Sequence, residues 1–210
     1  MRWLDFLFPP RADESALKNS SIDNFLALVA PHLVPETRPG TAALLSFSHT
    51  TVRAAVHEAK YHGSARAYEF LGSALAEYLR DADTYGFRTS VIVPVPLGAE
   101  RLKERGFNQV HEVILRALRI LGEEELCNFI LEPSLLVRTR ETTSQVSLPR
   151  HEREKNMRGA FACPSKLGEH SRATFIIIDD VITTGATLQA AIDALKEAGA
   201  KQIIPLALAH

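Results

Sequence analysis

Apolar positions recur along this chain with two different periods, and each change of period marks an element. Ile22, Phe25, Leu26 and Val29 stand three and four apart, a short helical face that Pro31 and Pro35 close off. Ahead of them, residues 11–21 are polar and unpatterned and read as a linker or irregular segment. A Pro/Gly stretch reaches Gly40, and the apolar run at residues 42–47 is short enough for a strand. Helical spacing returns at Val52, Ala55, Val56 and Ala59. After a break at His62-Gly63 it resumes at Ala67, Phe70, Leu71, Ala74, Leu75, Tyr78 and Leu79. Residues 90–97, SVIVPVPL, read as a buried strand whose carboxyl end turns at its two prolines. The cleanest amphipathic helix follows, with Val110, Val113, Ile114, Ala117, Leu118 and Leu121 on one face.

Residues 135–137 predict a short strand. Residues 139–159 then carry many charges and few apolar side chains, a span too long for a simple connection; such loops are usually functional or mobile. The pattern sharpens near the end. Residues 175–178 predict a strand, 188–198 a helix with Gly199 as its C-terminal cap, and 203–209 a last strand. Strand, helix, strand alternation implies an α/β fold with a mostly parallel sheet flanked by helices.

Composition adds limits more than direction. A length of 210 residues suits one packed domain at residues 41–210 with a small helical appendage at residues 1–40. A formal net charge of −1 gives no global reason to expect nucleic acid or membrane binding. The two cysteines, Cys127 and Cys163, exclude a disulfide framework and a four-thiolate zinc site within one chain, and they suit a reducing compartment. No apolar run approaches the length of a membrane span. Asp5 interrupts the apolar start and Pro9-Pro10-Arg11 ends it without a small-residue cleavage site, so a cytoplasmic location is expected.

Chemistry concentrates at Phe175-Ile176-Ile177-Ile178-Asp179-Asp180-Val181-Ile182-Thr183-Thr184-Gly185-Ala186-Thr187. A strand buried on both faces should end at two carboxylates, where open α/β sheets bind ligands. Thr183 to Thr187 then lead into a helix start whose amides and dipole favour an anion, and Gly185 would let the backbone approach a ligand. Acids that accept from sugar hydroxyls beside a loop that donates to phosphate describe a ribose-phosphate site. A structural βα turn could use the same residue types, but two adjacent carboxylates are costly without donors or cations to satisfy them. A nucleoside-triphosphatase would need a G-x-x-x-x-G-K-[ST] loop, and the chain contains no Gly-Lys pair. A receiver domain would place its acids earlier, with several βα units still to come.

The 175–187 segment resembles the signature of the type I phosphoribosyltransferases at every position. Val93-Pro94-Val95-Pro96-Leu97, Arg101, and Arg105-Gly106-Phe107-Asn108-Gln109 are similar to the competence-associated ComF branch of that family. Thr142, Gln145, Leu148, Arg153, Asn156, Gly159, Ala160 and Phe161 extend the likeness, and Lys60-Tyr61-x-Gly63 and the opening Leu4-Asp5-Phe6-Leu7-Phe8-Pro9-Pro10 agree more loosely. The resemblance implies a type I phosphoribosyltransferase fold with Asp179 and Asp180 facing ribose hydroxyls. Val181, Ile182, Thr183, Thr184, Gly185, Ala186 and Thr187 would wrap the ribose phosphate. Val95, Pro96 and Leu97 would form the pyrophosphate turn. Arg101 and Arg105, four apart, could bond to pyrophosphate or could be a solvated basic face paired with Glu100 and Glu104. Asn108 and Gln109 read as helix-capping residues. Arg138, Thr142, Gln145, Arg153 and Asn156 belong to a loop that would close over substrate, or to an ordinary exposed loop.

The implied ligand is phosphoribosyl diphosphate with Mg2+ carried on the diphosphate, and the implied reaction is transfer of the phosphoribosyl group with release of pyrophosphate. A DNA-uptake accessory role, binding single-stranded DNA or a helicase partner without turnover, stands as the alternative, and a homodimer stays open. ComF-like proteins commonly follow their Leu-Phe-Pro-Pro opening with a zinc ribbon of paired cysteines. Here Arg11-Ala12-Asp13-Glu14-Ser15 follows, with no cysteine or histidine before His32, so no zinc is expected.

Overall fold

The computed structural model describes residues 11–84, 90–122, 128–140, 157–164, 167–168 and 172–210. A six-stranded sheet has the order β1-β2-β8-β7-β3-β4, formed by β1 (His32–Val34), β2 (Thr41–Leu45), β3 (Ser90–Pro94), β4 (Phe129–Leu131), β7 (Thr174–Val181) and β8 (Gln202–Ala209). All neighbours pair in parallel except β1, which runs antiparallel to β2 at one edge. A separate two-stranded sheet joins β5 (Val137–Arg138) to β6 (Phe161–Ala162).

Alternation within the central strands divides the core. Ile92, Ile176 and Ile178 face one layer, with α3 (Thr50–His62), α4 (Ala65–Thr84) and α6 (Gln109–Leu121). Val91, Val93, Phe175 and Ile177 face the other, with α7 (Ala186–Glu197). Both faces are covered, which is why these strands read as unbroken apolar runs rather than as alternation. Gly72 is required where α4 meets α6: a Cβ there would lie 2.6 Å from the Arg116 side chain.

Three predictions at the amino end are corrected. Residues 11–21 are not a linker, since they contain α1 (Ala12–Lys18), and α2 (Ile22–Leu26) is only five residues long. The helix α1 has one fully buried apolar residue, Leu17, and is attached besides by the Arg11–Glu58 and Asp13–His57 pairs, so it leaves no periodic signal. The Pro/Gly stretch contains β1. Leu17 and Phe25 pack in the same core layer as α3 and α4. The helical turn expected at Arg101 and Arg105 is α5 (Ala99–Arg105), which has no buried residue, and two short strands, β4 and β6, went unread.

Candidate functional site

The strand β7 carries the two acids as part of its ladder. It does not stop before them, as expected from the apolar run, but continues to Val181 because β8 extends equally far. Asp179 pairs with Ala207 and Val181 with Ala209, and the Ile182 N–H donates to Ala209 O at 3.0 Å. Ladder pairing fixes the backbone under both carboxylates.

The chain then turns sharply into α7. Gly185 sits at the helix N-cap with φ +72°, and no side chain caps this end. The close approach it permits is to the protein itself: a Cβ would meet Glu36 O and Thr37 Cγ2 at 3.0 Å. The loop is therefore seated against residues 36–37, and the first amides of α7 have no intrahelical acceptor. Residues 181–188, with Asp179, enclose a small hollow of about 20 Å3.

Beside that hollow opens a cavity of about 500 Å3. Val95, Pro96 and Leu97, past the carboxyl end of β3, form one wall, and the Val95 N–H donates to Ile178 O at 2.9 Å. Arg101 and Arg105 from α5, Arg138 from β5 and Arg53 and Lys60 from α3 set five basic side chains around Asp179 and Asp180. This balance suits an anion. A second hollow of about 250 Å3 lies beyond the loop and has the opposite character, with Glu36, Asp193 and Glu197 against Arg158.

The two acids are not equivalent. Asp180 is buried, and its Oδ2 lies 3.0 Å from Lys60 Nζ and accepts a short hydrogen bond from Gln109 Nε2. Its Oδ1 accepts from the Val181 N–H at 2.7 Å. Burial opposes its charge, but Lys60, Gln109 and that amide outweigh burial and hold the carboxyl below its ordinary value. Asp179 is half-buried and accepts from the Asp180 N–H at 2.9 Å. Burial, then the neighbouring Asp180 charge, push its carboxyl up to about 7. The pair is thus split, one carboxyl held low and its neighbour raised.

The structure brings together Asp179, Asp180, Val181, Thr183, Thr187, Val95, Pro96, Leu97, Arg101, Arg105 and Arg138 around one cavity, while Ile182 is buried under it. Thr142, Gln145, Arg153 and Asn156 lie outside the described residues. Asn108 caps α6, accepting from the Val110 N–H, and its amide also donates to Val95 O at 3.0 Å. Gln109 is corrected: it is buried, donates to Asp180 and accepts from Arg105 Nη1 at 3.1 Å, so it joins the acid site to α5.

Sequence reading matched Lys60 and Tyr61 loosely to the family but assigned α3 no role in the site. Arg53, His57 and Lys60 stand four and three apart, a polar stripe on one helical face, and Tyr61 follows with the Arg105 guanidinium 5.0 Å from its ring centre. That stripe was the available signal. Farther along α3, His57, Glu58 and His62 place ligand-type atoms within 4.8 Å of one another. Their partners are already present: Arg11 holds both Glu58 oxygens at 2.8 and 2.7 Å, and Asp13 lies 3.0 Å from His57 Nδ1. This group ties α1 to α3.

The phosphoribosyl transferase domain family matches residues 68–209. The chain belongs to that family. The match takes in the β3 turn, β7, the loop and α7, and leaves α3 outside. The chain is 31% identical to Competence protein F of Haemophilus influenzae over 112 residues, 53% of this chain and 46% of that protein. It is 32% identical to Competence protein ComFC of Streptococcus pneumoniae over 144 residues, 69% of this chain and 56% of that protein. These likenesses place it in the ComF branch. The chain spans about half the length of both relatives.

Proposed function

We propose that the cavity binds phosphoribosyl diphosphate with Mg2+. One observation carries this reading: an acid pair at the end of β7 is joined by a five-residue turn to an uncapped helix start, within a cavity of basic walls. The α7 amides and the hydroxyls of Thr183 and Thr187 suit the 5-phosphate, and Asp179 suits a ribose hydroxyl. Arg101, Arg105 and the turn at Val95, Pro96 and Leu97 suit the diphosphate. Five basic side chains against two acids fit a polyanion and would not draw in a bare divalent cation. Mg2+ would therefore be held by the diphosphate oxygens and water, with the basic walls balancing the remaining charge; when bound it lowers the charge on the leaving group.

If an acceptor is present, attack at the anomeric carbon would displace pyrophosphate through an oxocarbenium-like state. The chain's part is to align the sugar through Asp179 and the loop, and to stabilise the departing diphosphate through Arg101 and Arg105. Calorimetry with Mg2+ and phosphoribosyl diphosphate tests the reading. Micromolar binding to the wild type, lost in Asp179→Asn/Asp180→Asn, is expected, and no binding to the wild type would overturn it.

A second reading is single-stranded DNA or a helicase partner bound in a competence process; the relatives' names give only the word competence, and the basic residues lining the cavity favour a nucleic acid. Salt-dependent DNA binding, indifferent to the aspartate substitutions and lost when Arg101 and Arg105 are replaced by alanine, would support it.

A further inference from the structure

Lys60 lies outside the 68–209 family match, on a helix that supplies neither the phosphate loop nor the diphosphate turn, yet its ammonium reaches Asp180 of the acid pair. Val56 and Ala59, buried on α3, fix that helix against the core, so Lys60 Nζ is delivered from a rigid element to within 3.0 Å of Asp180 Oδ2. The two side chains are only 25% and 11% exposed, which makes the contact a shielded ion pair and not a solvated surface one.

We propose that Lys60 is a positioning residue of the sugar site: with Gln109 it locks the Asp180 carboxylate in place, leaving Asp179 as the acid that meets the ligand. The proposal rests on the phosphoribosyl diphosphate reading above. Asp180 already accepts from Lys60, Gln109 and the Val181 amide. Among the described residues, Asp179 accepts only from the Asp180 amide, and it borders both the cavity and the small loop hollow. A carboxylate with three internal donors has little capacity left for a sugar hydroxyl; a half-buried one with a single donor has more.

The charge logic agrees with this division. Lys60 lowers the proton affinity of both acids, and Asp180 more strongly because the contact is direct. The other charged or titratable groups facing the pair are Arg53, His57 and Tyr61 from α3, Arg101 and Arg105 from α5, and Arg138 from β5. Among the described residues, Arg53, His57, Tyr61, Arg101 and Arg105 make no hydrogen bond or ion pair to Asp180.

Carboxyl-carbon NMR on protein labelled at aspartate provides the test, with Asp179→Asn and Asp180→Asn assigning the two resonances. In Lys60→Met, the Asp180 midpoint should rise by about one unit or more, since an opposite charge within hydrogen-bond distance shifts a carboxyl by that amount. Affinity for Mg2+ and phosphoribosyl diphosphate should fall roughly tenfold or more, with its pH profile displaced upward. Lys60→Arg should restore the profile and bring affinity to within about threefold of the wild type, the guanidinium being an equivalent charge-assisted donor. Unchanged carboxyl midpoints in a folded Lys60→Met would overturn the proposal while leaving the binding site intact. No binding to the wild type would instead overturn the underlying reading, a separate outcome of the same experiment.

Discussion

At the scale of single residues, adjacent Asp179 and Asp180 pull stability in opposite directions. Asp179 takes up a proton more readily folded than unfolded, so between pH 4 and about 7 the folded state binds the extra proton, and stability declines as pH rises through that window. Asp180 is the reverse: its lowered value contributes stability above the ordinary carboxyl range that is lost as pH falls through its folded value. Asp179→Asn should therefore raise the melting temperature of the ligand-free protein at pH 8, by a few degrees for about 1 kcal/mol, and change it little at pH 4. Asp180→Asn should lower it at pH 7, because Lys60 loses its partner. Melting curves across pH check both, and a pH-independent effect of Asp179→Asn would contradict the assignment. The acids themselves were legible in sequence, since two charges ending an apolar strand have few structural uses. Their inequality was not, because it arises from Lys60 and Gln109, 120 and 71 positions away.

At the scale of elements, periodicity found what buries a face and missed what does not. The helices α3, α4, α6 and α7 each bury an apolar stripe and were read close to their bounds. The helix α5 buries no residue and α1 buries only Leu17, so neither has a stripe to find. The loop into α7 makes its own prediction. Gly185→Ala forces a side chain into a left-handed conformation and against Glu36 O and Thr37 Cγ2 at 3.0 Å, a cost of about 2 kcal/mol. Urea unfolding should show that loss, and the displaced loop should also weaken phosphoribosyl diphosphate binding. A stable variant with normal binding would show that the loop does not depend on this seat.

At the scale of the molecule, the cavity is completed by α3, which is tied to α1 through Arg11 and Glu58 and through Asp13 and His57. Leu17 and Phe25 share a core layer with α3, α4 and the central strands. Leu17→Ala should cost about 3 kcal/mol, as deletion of a buried leucine side chain does, and unfolding should remain a single transition. Two separated transitions would mean that the first 40 residues fold as an independent unit. Among the described residues, 11–40 are held to the rest of the core by Leu17, Phe25, the pairing of β1 with β2 and the ion pairs of Arg11 and Asp13.

The most direct measurement of the central claim is an amide NMR titration of the 15N-labelled wild type with Mg2+ and phosphoribosyl diphosphate. The largest shifts are expected at the amides of residues 181–188, with smaller ones at Val95, Leu97 and Arg101. Shifts confined to the acidic hollow near Glu36 and Asp193, or none at millimolar ligand, would contradict the assignment of this loop as the ribose-phosphate site.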